Sequence, residues 1–382
     1  MAKGRRILLV EGSGRGFLCH YAHALALGLH EGGHSVLLAT GRRDELSNWS
    51  GPFAKEACLG DGWSGWGCLA RRVLAFRPDV VHFQWIGQPI AAVAFASWLR
   101  RRGIGVVYTP HNLLPHRRRW LSAPAFRLFY GCVDRVVARD AHIAWGLEEM
   151  LGVGDDRIVN IPGSPNLMAH PALPPRPAPE VPPRTAGETR LLYFGHGSAR
   201  KGLGGLLRVL AARGWPGRPH LVIAGEGVLA GADPELLAAV RARMPVTVVD
   251  RYVEPAEVAH LFAGVDLLTM PYAKHCKSPL TDLAAAFRLP VLRTDRVAAG
   301  RFVEGVHGIT VAHGAAAALA SALEACLVGG TLPALRAALE GEETVVAATR
   351  RLADSHTRLY QTLPPVAAVT TARGVKMTAG HA

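Results

Sequence analysis

The chain lacks most of the short signatures that announce a chemistry. Its six cysteines, Cys19, Cys58, Cys68, Cys132, Cys276 and Cys326, are scattered with no CxxC pair among them. That spacing excludes a zinc ribbon or a dense disulfide framework and fits a reduced, cytoplasmic protein. No HExxH or HxH pattern marks a metal, no GxSxG marks a nucleophile elbow, and no GxxxxGK[ST] marks a phosphate loop of the nucleotidase kind. No apolar run approaches the ~18 residues of a spanning helix. The opening "MAKGRRILLVEGSG" imitates a signal peptide, but its apolar run stops at Val10 and meets Glu11 and glycines, so it reads as a first strand. Acidic residues are also in deficit, 30 against 43 lysines and arginines, a formal charge of +13. The balance calls for an anionic partner. No zinc-finger spacing, ribonucleoprotein signature or recognition-helix pattern accompanies it, which disfavours nucleic acid and leaves a phosphorylated small molecule or an anionic lipid.

What is present is a rhythm. Short apolar runs, "RILLV", "HSVLLAT", "DVVHFQW", "GVVYTP", "RVVAR" and "RIVNIPG", alternate with helical patterns such as His20 to His30, "CLARRVLAF" and "AAVAFASWLRR". Alternation of this kind predicts a parallel, doubly wound sheet. The composition then changes at "HPALPPRPAPEVPPRTAGET", residues 170–189, whose prolines predict a semi-rigid linker. Beyond it the rhythm restarts with "TRLLYFG", "PHLVIAGEG", "VTVVDRYV", "DLLTMPY", "PVLRTD" and "HGITVAH". At 382 residues two domains are expected. The reading is α/β, with two Rossmann-like domains over 1–169 and 190–345. A last amphipathic helix over 346–363 can pack back on the first domain, and 364–382 forms a tail.

Two turns suit an anion, and a third invites a dinucleotide reading. "YFGHGSARKGLGGLL", residues 193–207, runs from a strand end through Gly195 and Gly197 to Arg200, Lys201 and a helix. Ligands of open parallel sheets sit beyond the strand carboxyl ends, and a glycine turn with two cations there suits a phosphate or diphosphate. The plainer alternative is a tight turn with solvated cations. "KHCKSPLTDL" places Lys274, Lys277 and Ser278 before a helix start. "EGSGRGF", residues 11–17, fails as a dinucleotide loop because the third glycine of GxGxxG falls at Phe17. Of the histidines near strand ends, His20, His82 and His111, each is more often structural than catalytic. His111 in "YTPHN" is the best candidate for chemistry, at a strand end facing the interdomain cleft. Glu226 in "AGEG" either touches a ligand or ends a strand. The run "PHRRRWLSAPAFRLFYG" from Pro115 reads either as a surface for an anionic membrane or acceptor, or as a solvated arginine face over core aromatics.

Taken in order, "GRGFLCHYAHALALGLHEGGHSVLLAT", "RPDVVHFQW", "VVYTPHNLLPH", "DRIVNIPGS", "LLYFGHGSARKG", "LVIAGEG", "RYVEPAEVAHLFAGVDLLTMPY" and "SPLTDLAAAFRLPVLRTD" resemble the retaining GT-B glycosyltransferases of family four, the group 1 enzymes. The resemblance spans roughly Arg6 to Leu363. It implies a UDP-sugar or similar nucleotide-sugar donor bound by the second domain, a hydroxyl-bearing acceptor bound by the first, and no metal or other cofactor. Lys201 takes the place of the diphosphate lysine, and the Ser278, Pro279 and Leu280 turn that of the phosphate-gripping amides. His111 takes that of the histidine beside the transferred sugar, and Gly14 and Gly16 that of the N-terminal loop at the donor phosphate. Gly195, Ser198, Arg200, Glu226, Val253 and Asp282 complete the expected donor side, and His20, His82 and His116 the acceptor side. The acceptor it implies is a polysaccharide, lipid-linked saccharide or secondary metabolite, with an anionic or membrane-borne one in keeping with the arginines near Trp120. The sequence departs from the family pattern at Ser198, which stands where an arginine is usual, and at the paired glutamates, replaced by the "AKHCKS" region and by Leu283 with Asp282 beside it. A non-catalytic relative that binds a nucleotide-sugar or a partner enzyme is the alternative those departures raise.

Overall fold

A computed structural model describes residues 4–60, 63–114, 119–163, 165–230, 232–298 and 302–363. The first domain carries strands β1 (Arg6–Glu11), β2 (Ser35–Gly41), β3 (Ala54–Leu59), β4 (Val80–Phe83), β5 (Gly105–Tyr108), β6 (Arg135–Ala138) and β7 (Ile158–Asn160). All pair in parallel, in the order β3-β2-β1-β4-β5-β6-β7. Side chains alternate across a strand, and both faces of β1 are apolar. Leu8 and Val10 enter one core with helices α2 (Trp63–Phe76), α3 (Pro89–Arg100) and α4 (Arg119–Cys132). Ile7 and Leu9 enter the other with α1 (Gly16–Glu31). Helix α5 (Ala141–Trp145) follows β6.

The second domain repeats the plan with β8 (Glu188–Phe194), β9 (Arg218–Ala224), β10 (Val246–Val249), β11 (Leu267–Met270), β12 (Cys276–Lys277), β13 (Val291–Thr294), β14 (Val297–Ala298) and β15 (Gly308–Val311). Six form a parallel sheet in the order β10-β9-β8-β11-β13-β15, while β12 and β14 pair separately. Leu191 and Tyr193 face one core, packed by α6 (Leu203–Ala211), α7 (Pro234–Arg241), α10 (Ala316–Val328) and α11 (Thr331–Leu339). Leu192 faces the other, packed by α8 (Pro255–Gly264) and α9 (Leu280–Ala286). Two Rossmann-like domains therefore stand where two apolar rhythms were read, in a GT-B arrangement. Among the described residues no single helix is long and apolar enough to cross a membrane.

Two local readings change. The edge strand β3 escaped the sequence because "AKEACL" is half-exposed and carries no apolar run. Strand β8 begins at Glu188, two residues inside the expected linker. The Thr185 amide donates to Glu188 Oε2 at 2.7 Å, and the carboxylate's other oxygen takes Arg190 Nε at 2.5 Å and His220 Nδ1 at 2.7 Å, anchoring the strand start. The linker is tethered at two points, where Trp49 Nε1 donates to Ala172 O at 2.8 Å and the Arg176 amide to Ala256 O at 2.9 Å. The tail over 364–382 lies outside the described residues.

Helix α12 (Val345–Gln361) crosses back to the first domain and covers α1. Every residue of α1 from Cys19 to Leu29 is buried, as a helix sandwiched between a sheet and another helix must be. Gly28 makes the approach close enough: a Cβ there would lie 2.9 Å from both Thr349 O and Ala353 Cβ. Replacing Gly28 by leucine is expected to push α12 off α1 and cost about 1–3 kcal/mol through overpacking, read as a lower thermal midpoint. An unchanged midpoint would contradict this packing.

Candidate active site

Strand β8 has β9 on one side and β11 on the other, so the chain reverses its winding between β8 and β11 and a crevice opens at their carboxyl ends. The turn after β8 lies there. Gly195 has φ +127°, a conformation side chains rarely adopt, and the space its Cβ would fill is taken by Lys201 Nζ, 2.0 Å away. Ser198 caps the short turn Ala199–Lys201, its Oγ accepting the Arg200 amide at 3.4 Å. Gly202, at φ +74°, opens α6. The turn after β11 is stitched to it, since Arg200 O accepts the Ala273 amide at 2.7 Å and the Lys274 amide at 3.3 Å. A Cβ on Gly202 would lie 1.8 Å from Pro271 O. Two stretches some seventy residues apart in sequence thus form one cationic ledge.

Among the described residues no carboxylate lies within ion-pair reach of Lys201. Burial draws its ammonium below the usual lysine value and Arg200 adds to the effect, with Cys276 opposing. A half-buried cation without a counter-charge favours an anionic ligand. Beside it Ser278 is buried, its Oγ 3.1 Å from the Tyr272 hydroxyl and accepting the Leu280 amide at 3.4 Å. Pro279 caps α9 and has no N–H to offer, so the expected amide grip is narrower than the resemblance implies. Asp282 stands in the first turn of α9. Glu226 is exposed at the end of β9, its carbonyl accepting the Gly197 amide at 3.0 Å. Val253 is buried in the core of the second domain, so its side chain packs there instead of facing a donor.

Across the crevice the first-domain glycine loop is organised by a residue that sequence reasoning passed over. Glu11, fully buried at the end of β1, accepts the amides of Ser13 at 2.6 Å and Gly14 at 3.0 Å and the Thr40 hydroxyl at 3.0 Å. Gly14 and Gly16 have φ of +68° and +66°. Glu45, also missed, accepts the Gly16 amide at 2.6 Å and faces His20 Nε2 at 3.1 Å. Its second oxygen takes the Tyr252 hydroxyl of the other domain at 2.5 Å, and Arg15 lies 5.9 Å over the Tyr252 ring. Burial alone would raise the Glu45 carboxyl; the bonds from His20, Tyr252 and Gly16 hold it below the usual range.

His111 lies at the end of β5, half-buried against Phe17 and Tyr21. Arg139 donates to its Nδ1 at 2.7 Å and its Nε2 meets Gln84 Oε1 at 3.3 Å. Burial, then Arg139, keeps the ring well below the usual histidine value and hence neutral. His82 and His20 do not suit the acceptor role given them. His82 is fully buried with both nitrogens bonded, and His20 is 1% exposed behind Glu45. His116 lies outside the described residues. Arg139 of the first domain and Asp282 of the second line one cavity of about 530 Å³ with Thr281, Phe302 and Arg351. A second, more apolar cavity of about 600 Å³ lies on the α10 side of the Ser198–Gly202 turn. Two groups among the described residues bring three metal-ligating atoms together, Cys19 with His23 and Asp44, and Glu56 with Cys58 and Cys68. Asp44 is already paired with Lys55 at 2.8 Å, and Glu56 with Arg72.

Family models match the two halves in turn, Glycosyltransferase Family 4 over residues 20–164 and Glycosyl transferases group 1 over 188–329, together about three quarters of the chain. The chain belongs to the family-four, group 1 glycosyltransferases. No curated protein sequence matches it. Solved structures similar to this glycosyltransferase include one from Rickettsia africae, at TM-score 0.64 and 16% identity over 95% of this chain and 99% of that one. Anabaena HepE in complex with UDP reaches 0.59 and 18% over 92% and 100%. The UDP-GlcNAc 2-epimerase of Methanocaldococcus jannaschii reaches 0.60 and 13% over 93% and 99%. At such identities the likeness is one of fold, which an epimerase shares with transferases.

Because Lys201 Nζ occupies the place of a Gly195 side chain, Gly195→Ala should displace the ammonium and weaken UDP binding about tenfold or more, with backbone strain of about 1–3 kcal/mol. Calorimetric titration with UDP measures it. Equal affinity in the variant would remove Lys201 from the site.

Proposed function

We propose that this glycosyltransferase moves a sugar, with retention and without a metal ion, from a nucleotide-diphosphate sugar to an acceptor hydroxyl. The observation that carries the proposal is the half-buried Lys201 ammonium at the β8–β11 switch point, with no carboxylate in ion-pair reach among the described residues. Breaking the sugar–phosphate bond develops negative charge on the departing diphosphate, and fixed cations stabilise it without reorganising. Arg200 and Lys201 are assigned that charge in place of a metal. UDP is the favoured leaving group, in keeping with HepE, whose structures hold UDP, UDP with glucose, or UDP-glucose. Donor contacts are assigned to Gly14, Gly16, Gly195, Ser198, Ser278 and Asp282.

In this proposal the acceptor hydroxyl attacks on the leaving-group face and gives its proton to the departing phosphate oxygen. The state of His111 supports that route. A neutral ring with Arg139 on one nitrogen and Gln84 on the other is poorly placed to act as a base. A glycosidase would need two placed carboxylates. The acceptor is assigned to the cleft beside Arg139, and a cytoplasmic reaction with peripheral membrane contact through the arginine run after Pro115 belongs to the same proposal.

Purified protein incubated with UDP-sugars is expected to release UDP, slowly to water and faster to an acceptor. Lys201→Ala should cut that rate by roughly 10²-fold or more, the scale of losing one charged stabilising donor. Nucleotide-sugar binding without turnover in the native chain would favour a non-catalytic relative; conversion of the sugar with UDP retained would favour an epimerase.

A further inference from the structure

A line of buried hydrogen bonds joins the last helix to His111. The Tyr360 hydroxyl on α12 lies 2.7 Å from His82 Nδ1. His82 Nε2 lies 2.8 Å from Thr109 Oγ1 and 3.3 Å from Gln84 Nε2. Gln84 Oε1 meets His111 Nε2, and His111 Nδ1 meets Arg139. Tyr360, His82, Gln84 and Thr109 are all fully buried, so water cannot substitute for a missing partner.

Starting from Arg139, one arrangement of protons gives every contact of this line a donor and an acceptor. A guanidinium donates and never accepts, so His111 Nδ1 is bare and its proton sits on Nε2. That proton is donated to Gln84 Oε1, which turns the Gln84 amide nitrogen toward His82 Nε2. His82 Nε2 must then be bare, accepting from Gln84 and from the Thr109 hydroxyl. The His82 proton sits on Nδ1 and is donated to the Tyr360 oxygen. The rings of His356 and Tyr360 pack 5.3 Å and 5.8 Å from that of His82 and close it off.

We propose that Tyr360, His82 and Gln84 are positioning residues that hold His111 as its neutral, Nε2-protonated form, with α12 supplying the terminal acceptor. None of the three touches substrate. The C-terminal helix thereby fixes the orientation of a ring more than two hundred residues earlier in the chain. The proton arrangement stands on geometry alone, and its catalytic consequence rests on the transferase reading.

The test uses the full chain labelled with 15N-histidine and long-range 1H–15N correlation near neutral pH, with signals assigned by His111→Asn and His82→Gln. The native protein should show His111 protonated at Nε2 and His82 at Nδ1. In Tyr360→Phe the His82 proton loses its acceptor, and both rings should shift toward the other form. In Gln84→Glu, which can only accept, His82 should move its proton to Nε2 while His111 keeps its own. UDP release by Tyr360→Phe should fall about tenfold or more in kcat, with KM for the donor within about twofold. A native His111 protonated at Nδ1 or at both nitrogens would overturn the proposal, as would a Tyr360→Phe protein whose His111 signals do not move. If Tyr360→Phe fails to fold, an unshifted His82 in Gln84→Glu overturns it. Native tautomers as stated with no sugar turnover at all would leave the proton line standing and sink the transferase reading.

Discussion

The site depends on one half-buried cation, Lys201, with no carboxylate in ion-pair reach among the described residues. Removing an ammonium from bulk solvent is unfavourable, and a folded protein offsets that with a carboxylate unless something else is meant to do so. At Lys201 the protein spends structure on the opposite outcome. A glycine gives up its side-chain space to seat Nζ, and a left-handed glycine lets the turn close against Pro271 O. The Arg200 carbonyl ties that turn to the loop after β11. Such a ledge favours an anionic ligand, and the diphosphate of a nucleotide-sugar is the one proposed for it.

The two sheets place that ledge at a gap between strand ends. Each is covered on both faces because its strands are apolar in both directions, and each reverses its winding beside its first strand, β1 or β8. Loops that leave adjacent strands toward opposite faces cannot close over the gap between them. Glycine turns fall at both gaps. Glu45 and Tyr252 connect the two sides directly, and α12 connects them through the chain's return to α1.

The strand rhythm, the two-domain division and the cationic turn were legible in the sequence because they rest on local pattern: buried parallel strands are continuous apolar runs, and a turn that holds an anion needs glycine and positive charge within a few residues. What was illegible depends on distant pairs. Glu11 looks like the end of a strand until its carboxylate is seen to collect the amides of the loop it precedes. His82 and His111 have the same signature, a histidine closing an apolar run, yet one is sealed under α12 and the other is half-buried against Phe17 and Tyr21. What seals His82 is His356 and Tyr360 on α12, more than 270 residues on, which no spacing rule reaches. Strand β3 was invisible for the reverse reason, since an edge strand with one wet face needs no apolar run.

The most direct measurement is a crystal structure of the protein with UDP. Diphosphate oxygens within hydrogen-bond reach of Lys201 Nζ, roughly 2.7–3.2 Å, in the crevice beyond β8 and β11 are expected. A diphosphate bound elsewhere, with the Lys201 ammonium turned to solvent or to a carboxylate, would contradict the central claim.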